Sequence, residues 1–327
     1  MIFLRSGISG VAIFPCEGMR DAESEAALAA AFEKGRAQEV TRLYRHDDVA
    51  RGELLAARDG LVLSLSLGAA SGLVTTFPFQ GALMTRTADH NHWSHVSSEW
   101  IAWARAPNHD AFWAYRASLI AFIGRGEGKA LDVGCGEGRV SRELKACGYR
   151  VTSSDPVWEL VNAAREARSA DDYAIASGTD LPFEDAHFDL VMAYNVLMDV
   201  EDVPATLKEI RRVLRPAGTL VISIVHPFSD RGRFATTEAT SSFVIQDAYF
   251  GSKRFEGTEE RDGLRMRFAG WSRPLEAYAT ALEDAGLAIT SLREPVPDNG
   301  DRWDRMQRWT RIPLFLWLKA RPLAAFR

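Results

Sequence analysis

Cysteine is scarce. Three occur in 327 residues, at Cys16, Cys135 and Cys147, with no C-x-x-C pair. So odd and widely spaced a set excludes a disulfide framework and points to a reducing compartment, the cytoplasm. Runs of Lys and Arg are absent, and the formal net charge is −5. That argues against a broad nucleic-acid surface. Met1 to Phe14 has Arg5 as its one basic residue and is interrupted by Gly7 and Gly10, a poor secretory leader. Leu61 to Met84 is uncharged and long enough to span a bilayer. It carries Ser64, Ser66, Gly68, Ser71, Gly72, Thr75, Thr76 and Pro78, too polar a run for a span, so no membrane partner is expected.

The most informative stretch is Lys129 to Leu144, KALDVGCGEGRVSREL. An apolar strand enters a turn with glycine at 134, 136 and 138, and a helix opens near Arg139. Alternate glycines permit a sharp turn and leave no Cβ between backbone and ligand. The helix end adds unpaired N–H groups and partial positive charge. A P-loop requires Lys-Ser/Thr after its last glycine, where Arg139-Val140 stands. A dinucleotide fingerprint requires glycine three residues beyond Gly136, where Arg139 stands.

From there strand and helix patterns alternate. Tyr149–Ser154 reads as a second strand with Asp155 at its carboxyl end, where a carboxylate accepts ribose hydroxyls. Trp158–Arg168 reads as a helix and Asp172–Ser177 as a third strand. His187–Tyr194 is a near-continuous apolar run, a buried parallel strand. A helix opens at Pro204 and ends at Pro216-Ala-Gly218, and Gly218–Val225 is a fifth strand. This order predicts an α/β fold, a doubly wound, mostly parallel Rossmann-like sheet with ligands at the strands' carboxyl ends.

Asp132-Val-Gly134-Cys-Gly136-Glu-Gly138 after a strand resembles motif I of the class I S-adenosylmethionine (SAM) dependent methyltransferases. With Asp155, then GTDLPFEDAHFDLV, then LKEIRRVLRPAGTLVIS, four blocks over roughly a third of the chain resemble the ubiquinone/menaquinone-biosynthesis type. The resemblance implies SAM as cofactor, with the Gly134–Gly138 backbone, Cys135 included, against its methionine portion. Asp132 would brace the turn or reach the amino group, and Asp155 would take the ribose hydroxyls. Asp180 would accept from the adenine amino group, with Leu181 on the ring. Tyr194 and Asn195 would lie beside the reacting methyl. It also implies an antiparallel last strand, with Ala288–Leu292 and Ile312–Lys319 paired at the sheet end. For Leu181 and Tyr194, plain core packing is the competing account. The chain has no Asn/Asp-Pro-Pro-aromatic after strand four and no Pro-Cys nucleophile, so covalent catalysis is not expected.

His226 to Trp271 is expected to be a substrate lid, with short strands at Ser242–Tyr249 and Arg265–Phe268. Tyr249 and Trp271 are its candidate acceptor contacts. His226, at the end of strand five, is the candidate general base; the competing account is a turn residue bonded to backbone. His90, His92, His95 and His109 cluster without the Cys or His-Glu spacing of a zinc site, so no metal is expected. Helices are expected over Ser97–Arg105 and from Asn108 or Asp110.

The expected domains are an extension, 1–83, and a methyltransferase domain, 84–327, with core motifs in 129–225 and a lid in 226–271. The extension is either a start-site artefact before Met84 or a small helical domain. The expected function is direct in-line methyl transfer to a small-molecule acceptor. The alternatives are a tRNA-modifying methyltransferase, which low basicity disfavours, and a non-catalytic SAM-binding regulator. Neither acceptor nor oligomeric state is legible.

Overall fold

The computed structural model describes residues 2–5, 10–13, 54–58 and 61–65 in outline, and 88–298 (save 247) and 301–323 in detail. The chain divides into two compact units, Met1–Thr85 and Arg86–Arg327. In the first, β1 (Ile2–Arg5) pairs antiparallel with β2 (Gly10–Ile13), and β3 (Leu54–Arg58) with β4 (Leu61–Leu65). Asp21–Arg45, Ala- and Glu-rich with Leu28, Ala31 and Phe32 at the helical spacing expected of a small helical domain, lies outside the described residues.

The second unit opens with two helices, α1 (Ala88–Arg105) and α2 (Ala111–Ile123). The polar, histidine-bearing lead-in is thus helical from Ala88, nine residues earlier than the aromatic periodicity indicated. Five parallel strands follow with their crossover helices: β5 (Lys129–Val133), α3 (Arg139–Ala146), β6 (Arg150–Asp155), α4 (Trp158–Glu166), β7 (Asp172–Ile175), β8 (Phe188–Tyr194), α5 (Val203–Val213) and β9 (Leu214–Val225). α5 is capped by Asp202, whose carboxylate accepts from the Ala205 N–H at 2.9 Å. It ends at Val213, before Pro216, because the residue preceding a proline disfavours helical backbone. The lid region holds β10 (Gly232–Phe234), β11 (Phe243–Ile245), β12 (Lys253–Arg261) and β13 (Leu264–Ser272). The chain closes with α6 (Leu275–Asp284), β14 (Leu287–Arg293) and β15 (Phe315–Pro322).

The central sheet has the order β14-β15-β9-β8-β5-β6-β7. Strands β5 to β9 are parallel, while β15 runs antiparallel to both β9 and β14. One reversed strand therefore lies inside the sheet, and β14 forms the edge. Strand order reverses between β5 and β8, so the crevice of a doubly wound sheet opens at their carboxyl ends. Fully buried Leu131, Val191, Leu207, Ile210 and Leu220 pack one face; Tyr115, Leu144, Met192 and Val221 pack the other. The lid is two separate hairpins, β10–β11 and β12–β13, where two short strands of one small sheet were expected. The second hairpin is long because its registers pair without a break from Lys253–Ser272 to Arg261–Leu264.

Candidate active site

The turn after β5 has the geometry that its glycines permit. Gly134, Gly136 and Gly138 all have positive φ, at 65°, 56° and 88°. A side chain at Gly136 would be strained and obstructed, since its Cβ would stand 2.8 Å from Trp100 Nε1. Trp100 of α1 therefore lies directly over the turn. The turn is held from beneath by β6: Cys135 N–H donates to Ser154 O at 3.0 Å, and Gly136 N–H to Asp155 Oδ2 at 3.0 Å. The other oxygen, Asp155 Oδ1, accepts from Val157 N–H at 2.9 Å. Asp155 thus joins the glycine turn to the start of α4, and each oxygen keeps a second lone pair. Burial pushes its carboxyl up to about 6 against these two bonds.

Asp132 is buried beneath the turn. Its Oδ2 accepts from Ser141 Oγ at 2.6 Å, and Ser141 meets Ser153 Oγ at 2.6 Å, tying β5, α3 and β6 together. Burial, with the Asp155 charge adding to it, pushes Asp132 up to about 7. Cys135 is buried, and burial raises its thiol well above the ordinary range, which disfavours the thiolate.

Two further residues of the turn were not singled out in the sequence. Glu137, 1% exposed, pairs with Arg105 at 3.1 Å and Arg142 at 2.7 Å, fastening the last residue of α1 to the turn. Arg139 pairs with Asp110 at 2.5 Å, its guanidinium 4.9 Å from the Trp100 ring, 4.6 Å from Phe112 and 5.8 Å from Tyr194. The motif itself signals a ligand cradle and gives no sign of these partners, which, Arg142 apart, lie 27 to 55 residues away.

Tyr194 ends β8 against Arg139 and Phe112, and burial raises its phenol, which therefore stays neutral. Asn195 follows with φ 55°, a left-handed conformation that asparagine tolerates, and its Oδ1 accepts from Ser223 Oγ at 2.9 Å. Asp180 is exposed beyond β7. Leu181 is buried in the sheet's main core, and its N–H donates to Glu209 Oε2 at 3.0 Å.

On the lid side the candidates separate. Trp271 on β13 donates its backbone N–H to Met198 O at 2.7 Å and its indole N–H to Asp89 Oδ2 of α1 at 3.2 Å. The hairpin is thereby clasped to the loop after β8. Tyr249 stands at the N-terminus of α6, its hydroxyl accepting from Leu275 N–H at 3.1 Å. His226 has both ring nitrogens engaged: Nδ1 accepts from Phe228 N–H at 3.1 Å, and Nε2 lies 3.0 Å from Glu294 Oε1. Nδ1 must then be the bare nitrogen and Nε2 the donor. Burial lowers its pKa, Glu294 opposing, so the ring is neutral at pH 7 with its one lone pair occupied. Of the four histidines, His92 Nε2 meets Arg267 O at 3.0 Å and His109 Nδ1 meets Asp262 at 3.2 Å.

A left-handed glycine turn at the topological switch point, roofed by an indole and flanked by a carboxylate at the end of the next strand, suits a nucleoside with a charged tail. A methyltransferase-domain family model matches residues 131–222, which run from β5 into β9. The malonyl-acyl-carrier-protein O-methyltransferase of Salmonella typhimurium is 32% identical over 180 residues, covering 54% of this chain and 68% of that protein. The ubiquinone biosynthesis O-methyltransferase of Xanthomonas campestris is 35% identical over 169 residues, covering 50% of this chain and 66% of that one. An S-adenosylmethionine-dependent methyltransferase from Mesorhizobium loti, solved as a crystal structure, matches with a TM-score of 0.51 at 26% identity, covering 65% of this chain and 98% of that chain. The chain spans between 36% and 68% of the length of such curated relatives. The chain belongs to the class I SAM-dependent methyltransferases. Among the described residues no helix is long and apolar enough to cross a membrane.

Proposed function

We propose that the protein transfers the methyl group of SAM to an oxygen of a small-molecule acceptor by direct in-line displacement. The observation that carries this reading is the clasp between Trp271 and Met198, which brings the β12–β13 hairpin to the loop that follows β8. That contact supports reading β13 as a wall of the acceptor site beside the carboxyl end of β8. The oxygen acceptor is suggested by relatives that carry the name O-methyltransferase.

The residues present fit the cofactor. The turn bears no Cβ at Gly134, Gly136 or Gly138, and Asp155 retains lone pairs for two hydroxyls. In this reading Gly134–Gly138 holds the methionine portion, Asp155 the ribose, Asp180 the adenine amino group and Leu181 the ring. Tyr194 and Asn195 flank the methyl, and Trp271 and Tyr249 serve the acceptor. SAM supplies an electrophilic methyl group on a positively charged sulfur. The chain's work is chiefly alignment, excluding water beneath the lid and fixing acceptor against methyl.

A tRNA acceptor fits less well. Lid arginines are committed to carboxylates within the chain, Arg254 to Asp89 at 2.6 Å and Arg267 to Glu99 at 2.7 Å, which lowers the positive charge offered to phosphates. The test is incubation with methyl-labelled SAM beside a small-metabolite fraction and, separately, a tRNA fraction, with SAM binding measured by calorimetry. Label in the metabolites alone is expected. Label in tRNA would replace the acceptor, and SAM binding without any transfer would reduce the protein to a SAM-binding regulator.

A further inference from the structure

The loop after β8 carries a carboxyl group that nothing so far has used. Asp199 lies four residues beyond Asn195, where its backbone N–H donates to Val196 O at 2.7 Å. Its carboxylate faces the lid: a Cβ on Gly270 of β13 would stand 2.9 Å from Asp199 Oδ1 and 2.9 Å from Met198 O. Glycine at 270 is thus what allows the hairpin to close on this carboxyl. Among the described residues, no hydrogen bond or ion pair reaches it.

The neighbouring cations are spent elsewhere. Arg273 donates to the carbonyls of Leu197 at 3.1 Å, Val200 at 2.7 Å and Glu201 at 3.1 Å. Arg254 is held by Asp89. Arg231 donates to the carbonyls of Ala248, Gly251 and Ser272. What surrounds Asp199 is mostly negative: Asp89 from α1, Asp230 from the lid and Asp155 from the cofactor cleft, with Arg273 the one opposing charge. Burial first, and then these carboxylates, raise Asp199 far above the ordinary carboxylate range. A second polar group stands nearby: Ser272, 4% exposed, has its hydroxyl beside the Asp230 carboxyl.

A carboxylate half-buried against the lid and left uncompensated is costly unless it is protonated or meets a donor. Here it stands between the end of β8 and the lid, within the electrostatic reach of Asp155. We propose that Asp199 is the general base of the methyl transfer, and that the acceptor therefore arrives as a neutral hydroxyl rather than as a carboxylate. This rests on the function proposed above and narrows it. As the acceptor oxygen bonds to the methyl carbon, the C–S bond breaks and its electron pair stays on sulfur. The hydroxyl proton passes to Asp199, leaving a neutral acid, a methyl ether and a neutral thioether. An anionic acceptor would face the carboxyls of Asp199 and Asp230, whereas a hydroxyl gives Asp199 the donor it lacks. Ser272 Oγ offers a second contact on the lid side.

The proposal is tested with methyl-labelled SAM and a small-metabolite fraction, the product then being treated with alkali. Ethers survive alkali; methyl esters release labelled methanol. The expected label is alkali-stable. Asp199→Asn should lower turnover about 100-fold or more, the usual scale of a general base. SAM affinity should stay within twofold by calorimetry. Wild-type turnover should fall on the acid side, and that limb should vanish in Asp199→Asn and return in Asp199→Glu. In protein labelled with 13C at the aspartate carboxyls, the resonance lost in Asp199→Asn should titrate above the ordinary aspartate range. Release of labelled methanol, full turnover in Asp199→Asn, or an ordinary titration would each overturn the inference while leaving the methyltransferase reading intact. No transfer at all from bound SAM would overturn both.

Discussion

Asp155→Asn tests the cofactor side through two quantities that should move in opposite directions. In the wild type, burial raises the carboxyl from its ordinary 3.8 to about 6. A folded-state pKa above the unfolded one means stability that is full below about pH 4 and lost as pH rises through about 6. At about 1.4 kcal/mol per pH unit, the ionised side chain costs the fold about 3 kcal/mol at pH 7. Asparagine removes that cost but keeps one acceptor oxygen for two N–H groups, those of Gly136 and Val157. Its own NH2 then faces a donor, which costs about 1–3 kcal/mol. The two effects nearly offset at neutral pH, so Asp155→Asn should melt in urea close to the wild type at pH 7. At pH 4, where the wild-type carboxyl is neutral, the variant should be the weaker by about 1–3 kcal/mol. The difference between the proteins is the quantity to measure, since other titrating groups cancel in it. SAM binding should show no such offset. Losing one charge-assisted ribose bond is worth about 1.5–3 kcal/mol, or roughly a 10- to 150-fold weaker Kd by calorimetry. Wild-type affinity should itself weaken below about pH 6, as the carboxylate takes up a proton. A stability difference independent of pH, together with an unchanged Kd, would refute both the burial argument and the place of Asp155 in the site.

Gly136→Val sets a branched Cβ at φ 56° against Trp100, so SAM binding should be lost by calorimetry. Circular dichroism should still show the sheet, and wild-type affinity would mean that the turn has been misread. His226→Ala should lower turnover less than tenfold, because the imidazole's free nitrogen is already bonded to Phe228; a 100-fold loss would restore it as a base. The chain shortened to Arg86–Arg327 should melt in one cooperative step and bind SAM as the full chain does, since that unit carries the whole seven-stranded sheet. Aggregation of the shortened chain beside a well-behaved full chain would show that the first segment belongs to the fold.

Local chemistry made much of this protein legible in advance. The strand, glycine turn and helix at 129–146 follow from where glycine and apolar residues fall within eighteen positions. The alternation of strands and helices to Val225 fixes a parallel sheet, because short connections leave little other topology. Helix limits were less legible where residues such as His90 and His92 carry no apolar period, and α1 was read short for that reason. The lid's pairing was also hidden, since hairpin register depends on which strand comes back to meet which. What tertiary structure alone decided are the meetings of distant residues. Glu137 between Arg105 and Arg142, Arg139 among Trp100, Phe112 and Tyr194, and Asp199 beneath Gly270 each join segments tens of residues apart. A sequence shows that Asp199 is an acid. Only the folded chain shows that the arginines around it are bonded to backbone carbonyls and Asp89, so that among the described residues none pairs with that acid.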